Sequence, residues 1–207
     1  MRKKVISAKT KRVLESLDKI EIIKNFYLAG GIALALQLGH RKSIDLDLFS
    51  EKDFSTGKLK TVLSRVGKLK VYSEEERTLN ANLNGVKISF LGYKYKMLFP
   101  LVKYDRNLKL ADTRDIACMK IDAISSRGSK KDFIDLYFLL KKYSLKKILS
   151  LFDKKYQEIE YSQLHILKSL IYFQDAERDP MPLMLKSVNW DEVKRELRRS
   201  VKEFVKV

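Results

Sequence analysis

Asp45 and Asp47 stand one residue apart in Ser43-Ile-Asp-Leu-Asp-Leu-Phe49. Apolar and acidic residues alternate there, the period-2 pattern of a strand. Both carboxylates then share one face, while Ile44, Leu46 and Leu48 face the core. Carboxylates this close repel each other. A divalent cation relieves the repulsion, and Mg²⁺ (or Mn²⁺) takes such oxygen ligands together with substrate phosphates. A solvated acidic face would look similar, but acids are poor strand formers, so two in an apolar strand favour a working pair. Upstream, Gly30-Gly31 separates a short apolar run from a helical one. Without Cβ atoms the chain can turn tightly there and let a phosphate approach the unpaired first amides of the following helix. A glycine pair is by itself more often a plain turn. Arg41 and Ser43, just before the acidic pair, offer a cation and a hydroxyl to phosphate oxygens, and Arg41 could instead pair with Asp45. His40 has no second His or Cys nearby and reads as a packed or solvated loop residue; His165, in a late helix, reads as structural.

A second cluster lies in Asp115 to Tyr137. Lys120 and Arg127 occupy one expected helix, and the stem of Lys120 is expected to be partly buried among apolar neighbours with its head reaching the cleft. Ser129 and Asp132 fit a capping box at the start of the next helix. Asp135, four residues after Lys131, is placed for an intrahelical ion pair. Taken alone, this cluster is a capped, salt-bridged helical hairpin.

These residues need elements to hold them. A helical lead-in is expected over residues 1–24, with Val13, Leu14, Leu17 and Ile20 at helical spacing. A short strand over 26–29 runs into the glycines, a helix over 32–38 ends at Gly39, and a strand spans 44–49. A helix over 59–66 precedes strands at 70–73, 78–83 and 86–91, with Asn84-Gly85 as a hairpin turn. Edge strands at 101–104 and 108–110 follow. Beyond Asp112 the pattern is helical: 113–126, 129–143, 145–151, 161–173 and 190–205. In the last helix Trp190, Val193, Leu197, Val201 and Phe204 form an apolar stripe opposite a basic face. The fold class is therefore α+β: a mixed sheet with flanking helices over 1–111, then a helical bundle over 112–207, with a cleft between two lobes.

Forty-three Lys and Arg against 26 Asp and Glu give a net charge of +17, which favours polyanionic partners such as nucleic acid. No apolar run approaches the roughly 20 residues of a membrane span. The basic Met1–Lys4 is followed by no apolar stretch and is not read as a signal peptide. The single cysteine, Cys118, reads as a buried thiol, which fits a cytoplasmic location.

Together, Gly30-Gly31, His40 to Phe49, and Lys120 through Lys131-Asp132-Phe-Ile-Asp135 resemble the AbiEii/AbiGii toxin family of the DNA polymerase β-like nucleotidyltransferase superfamily. The resemblance spans roughly residues 25–190. It implies an enzyme that transfers a nucleoside monophosphate from an NTP to an acceptor, RNA and tRNA in particular, as the toxin of a toxin–antitoxin pair with a cognate antitoxin. It implies that Gly30 and Gly31 hold the triphosphate, that Asp45 and Asp47 bind Mg²⁺, and that Lys120 and Lys131 contact phosphate. Asp132 is implied as a catalytic contributor. Two departures stand out. Gly31 occupies a position where many superfamily members have serine. Ser89, on the 86–91 strand, stands where superfamily polymerases carry a third acid, so Asp132 or a metal-bound hydroxyl would have to act as base. A protein or small-molecule acceptor, or a degenerate RNA-binding domain that retains only the fold, are the alternatives.

Overall fold

The computed structural model describes residues 5–206; the basic Met1–Lys4 lies outside the described residues. Among the described residues, seven strands form one mixed sheet in the order β3-β4-β5-β2-β1-β7-β6. The strands are β1 (Tyr27–Leu28), β2 (Leu46–Ser50), β3 (Leu69–Glu75), β4 (Thr78–Leu83), β5 (Val86–Gly92), β6 (Val102–Lys103) and β7 (Lys109–Leu110). β2 lies in the middle, antiparallel to β1 and parallel to β5, and its register sets Asp47 beside Ser89. Leu46 and Leu48 point into the core and are fully buried, so the next residues along point to the other face. Ile44, expected to face the core, precedes the strand and is 68% exposed. The β4–β5 hairpin turns at Asn84 and Gly85, both at positive φ, the geometry that matches strand twist.

The helices are α1 (Ala8–Asp18), α2 (Gly30–Leu38), α3 (Thr56–Val66), α4 (Thr113–Ser126), α5 (Lys130–Leu140), α6 (Leu145–Lys155), α7 (Gln163–Ser169), α8 (Gln174–Glu177) and α9 (Trp190–Val205). The lead-in is α1 and a 3₁₀ turn over Glu21–Asn25. The helix expected over 161–173 is shorter, α7 alone, and the brief α8 follows beyond it. Side-chain oxygens cap several starts: Ser7, Ser55, Asp112, Ser144, Ser162 and Asn189 each accept a backbone amide. In α9, Val193, Leu197 and Val201 are buried as the stripe requires. The expected boundary at 111/112 falls at the cap of α4. The buried core runs unbroken from the sheet (Leu28, Leu48) into α4 and α5 (Ile116, Phe133). Cys118 is buried, and burial pushes its thiol pKa up to about 12. No described helix is long and apolar enough to cross a membrane.

Candidate active site

α2 begins at Gly30 itself, directly after β1 and Ala29. Gly30 has φ +64°, a left-handed conformation that suits glycine. A Cβ there would lie 2.9 Å from Oδ2 of Asp47, so the missing side chain also leaves room for the carboxylate. No side chain caps α2, so its first amides and its positive dipole end are left for another partner. All but the polar tip of this helix is buried, with Ile32 to Leu36 packed on every side, so the turn is held rigidly.

A cavity of about 580 Å³ opens over this turn. Gly30 and Gly31 line it together with Asp45, Asp47, Arg41 and Ser43. Lys120, Arg127 and Lys131 line the facing side. A strap over residues 179–183 closes one wall; it is tied down where Lys42 N donates to the Leu183 carbonyl at 2.8 Å and Leu185 N to that of His40, also at 2.8 Å. Burial raises the pKa of Asp47, and the nearby charge of Asp45 adds to the rise; Lys120, Lys131 and Arg127 oppose it. The carboxylate thus sits where a further positive charge would be stabilising.

Below the cavity lies a buried ionic hub. Asp135, 0% exposed, accepts from His40 Nε2 (2.7 Å) and Arg41 Nε (2.7 Å) at one oxygen. Its other oxygen takes Arg41 Nη2 (2.8 Å) and Lys120 Nζ (2.7 Å). Burial alone would raise its pKa; the charges of Lys120 and Arg41 and the hydrogen bonds from Arg41 and His40 win and hold it well below the usual range. Lys120, 4% exposed, also donates to Asp132 Oδ1 at 2.6 Å, and the two carboxylates outweigh burial and raise its pKa. Burial lowers the pKa of His40, so the neutral ring donates through Nε2. Its Nδ1 has no hydrogen-bond partner among the described residues.

Three expectations change here. Arg41 lines the cavity but pairs with Asp135, not Asp45. Asp135 reaches across to Arg41, His40 and Lys120 and makes no intrahelical pair with Lys131. Asp132 does not line the cavity and is not positioned as a base. Its oxygens accept from Lys120, from Arg127 Nε at 3.2 Å and from Ser129 Oγ at 2.6 Å. Burial would raise its pKa, but Lys120 and Arg127, with the hydrogen bonds of Lys120 and Ser129, hold it at about 2. The reason is tertiary: α4 and α5 pack so that Lys120 points down at both acids of the next helix. The capping box does not form either, because Ser129 donates to the Asp132 side chain, and the α5 amide of Lys130 donates to Asp179 Oδ2 instead. Sequence reasoning also left unassigned the strap and the cavity-lining role of Arg127, which sit far from the acidic pair along the chain.

The family model described as "Nucleotidyl transferase AbiEii toxin, Type IV TA system" matches residues 12–106 and 93–206. The chain belongs to the AbiEii nucleotidyltransferase toxin family. An Aquifex aeolicus (strain VF5) protein, aq_aa25, is 38% identical over 200 residues, covering 94% of this chain and 95% of its own. Among solved structures, MenT4, a nucleotidyltransferase toxin of Mycobacterium tuberculosis H37Rv, superposes with a TM-score of 0.59 at 13% identity, over 97% of this chain and 86% of its own. JHP933 of Helicobacter pylori gives 0.56 at 16% identity, over 97% and 94%. These two share the fold. The chain is accordingly an AbiEii-type nucleotidyltransferase.

Among the described residues no group of three or more His, Cys, Asp or Glu side chains converges as a metal site. Asp45 and Asp47 alone still fit Mg²⁺, which keeps several waters and commonly binds one or two carboxylates plus substrate phosphates. The geometry that favours a cation there is that both carboxylates line one cavity, where the missing side chain of Gly30 leaves room beside Asp47 Oδ2.

Proposed function

We propose that this enzyme transfers a nucleoside monophosphate from an NTP to an RNA acceptor, tRNA being the leading candidate, in a Mg²⁺-dependent reaction. The observation that carries the reading is the shared cavity: the Asp45–Asp47 pair, an uncapped helix start at a glycine turn, and Lys120, Arg127 and Lys131 all line it. The amides at Gly30 and Gly31 hold the triphosphate, helped by Ser43. Mg²⁺ held by Asp45 and Asp47 would supply charge neutralisation to the phosphates when bound. Lys120, Arg127 and Lys131 stabilise the charge that builds on the departing pyrophosphate. The acceptor hydroxyl, its proton passing to solvent, forms the new bond to the α-phosphorus as the bond to the bridging oxygen breaks and pyrophosphate leaves. Positioning and electrostatics carry most of such a reaction. Asp132 and Asp135 act indirectly, by holding Lys120, Arg127 and Arg41 in place.

The +17 charge supports an RNA acceptor, whose binding would weaken as salt rises. Membership of a family named for a type IV toxin–antitoxin system supports a toxin's role with a neighbouring antitoxin, in the cytoplasm. The test is transfer of label from each α-labelled NTP to total tRNA with Mg²⁺. Label on RNA, lost in the Asp45→Ala/Asp47→Ala double variant, is the expected result. Label on protein or small molecules that persists after RNase treatment overturns the RNA acceptor, and no transfer to any acceptor overturns the catalytic reading.

A further inference from the structure

A second groove, of about 570 Å³, lies between the end of α4 and the α7–α8 segment. It adjoins the catalytic cavity at Arg127, which lines both. Arg127 is anchored by Asp132 on one side, and its side chain is still 63% exposed, so the guanidinium stands between the two spaces with donors to spare. The far wall carries an exposed aromatic ring, Tyr172, 53% exposed, beside exposed Ile171. Lys168 and His165 add exposed polar and basic groups, and one acid, Asp175, lies on the rim. An exposed ring and aliphatic side chain, with Lys168 and Arg127 lining the same groove beside the Asp45–Asp47 cavity, offer both base stacking and backbone neutralisation.

We propose that this groove holds the single-stranded end of the RNA acceptor, with an unpaired base on Tyr172 and its phosphates between Lys168 and Arg127. A single strand is required because only an unpaired base offers a free face to the ring. The Tyr172 hydroxyl donates to Gln174 Oε1 at 2.9 Å, which fixes the ring's tilt, while the stacking face needs no hydroxyl. His165 Nε2 donates to the Ser125 carbonyl at 3.4 Å, so α7 is tied to the end of α4 across the groove. Asp175 would disfavour a second phosphate there, so the strand's path runs from Lys168 towards Arg127. The assignment rests on the nucleotidyltransferase reading for what the terminal hydroxyl meets in the cavity.

The test separates acceptor binding from NTP binding in the full-length chain. Anisotropy measures affinity for a fluorescent single-stranded RNA, and calorimetry measures NTP binding with Mg²⁺. Tyr172→Ala is expected to weaken RNA binding by at least about fivefold, and Tyr172→Phe to hold it within about twofold of wild type. Lys168→Glu is expected to weaken RNA binding most at low salt. NTP binding is expected to be unchanged in all three variants. RNA affinity unaffected by Tyr172→Ala overturns the proposal, as does equal binding of a duplex of the same length. Competition by an acidic polypeptide as strong as that by RNA also overturns it, since charge alone would then explain the groove. If wild type binds no NTP while Tyr172→Ala still loses RNA, the groove stands and the catalytic reading falls.

Discussion

Placing a serine at position 31, in the Gly30-Gly31 turn, is expected to harm this enzyme. A Cβ on Gly31 would lie 2.4 Å from Nη2 of Arg41, 3.4 Å from its Cζ and 3.3 Å from Ser43 Oγ. Contacts below 3.0 Å force a shift, which is cheap only when a flexible chain end can move away. Arg41 cannot do so freely, because it is 4% exposed and its Nε and Nη2 both bind Asp135. Moving Nη2 away breaks the 2.8 Å bond to Oδ2, and a hydrogen bond to a charged group is worth about 1.5–3 kcal/mol. With a shift of roughly 2–4 °C per kcal/mol for a chain of this size, Gly31→Ser should lower the melting temperature by about 3–12 °C. Arg41, once displaced, would also reach into the phosphate end of the cavity, so NTP affinity falls with stability. Thermal unfolding read by circular dichroism, with calorimetric NTP binding, measures both. Gly31→Ala should show most of the same loss, since the Cβ and not the hydroxyl makes the clash. A Gly31→Ser protein that melts with wild type and transfers nucleotide faster would refute the reasoning, and would mean that Arg41 has another resting place.

Asp47→Asn should melt at or above wild type without metal, because its raised pKa means that the charged carboxylate is disfavoured in the fold; Mg²⁺ should then raise the melting temperature of wild type and not of the variant. Asp132 has its pKa depressed from 3.8 to about 2, so the stability it adds is fully present above pH 4 and disappears as pH falls towards 2. At about 1.4 kcal/mol per unit, this is about 2 kcal/mol, with Asp135 adding a loss of the same sign; an acid titration of stability in which Asp132→Asn shows as steep a fall as wild type contradicts it.

How much of the site was legible depended on whether neighbours in sequence were also neighbours in space. Asp45 and Asp47 are close in sequence, the first just before β2 and the second within it, and both line the cavity, while the glycine turn is announced by a strand, two glycines and a helix in succession. Ser89 was identified as the absent third acid, and β-sheet register does set it beside Asp47. The strands at 78–83 and 86–91 and the helices over 113–126 and 190–205 follow from periodicity and turn chemistry, which act within a few residues. Asp132 and Asp135 misled because Ser129, Lys131 and the two acids form plausible local pairs on a helix. Each local pair is worth a few tenths of a kcal/mol, less than a buried charge gains from a full set of partners.

The sequence by itself determined the alternating strand that carries Asp47 (though it begins two residues later than expected), the glycine start of α2, the excess of positive charge and the α+β order of elements. These depend on backbone sterics, side-chain periodicity and composition, all of which are properties of short stretches or of simple counts. Only the tertiary structure decided that Arg41 and Lys120 converge on Asp135, that Asp132 is buried against Lys120, and that Arg127 lines both the cavity and the α7–α8 groove. Those partners lie 12 to 94 residues apart. Buried charges choose partners by which helices pack over them, because an unpaired charge away from water is too costly to leave.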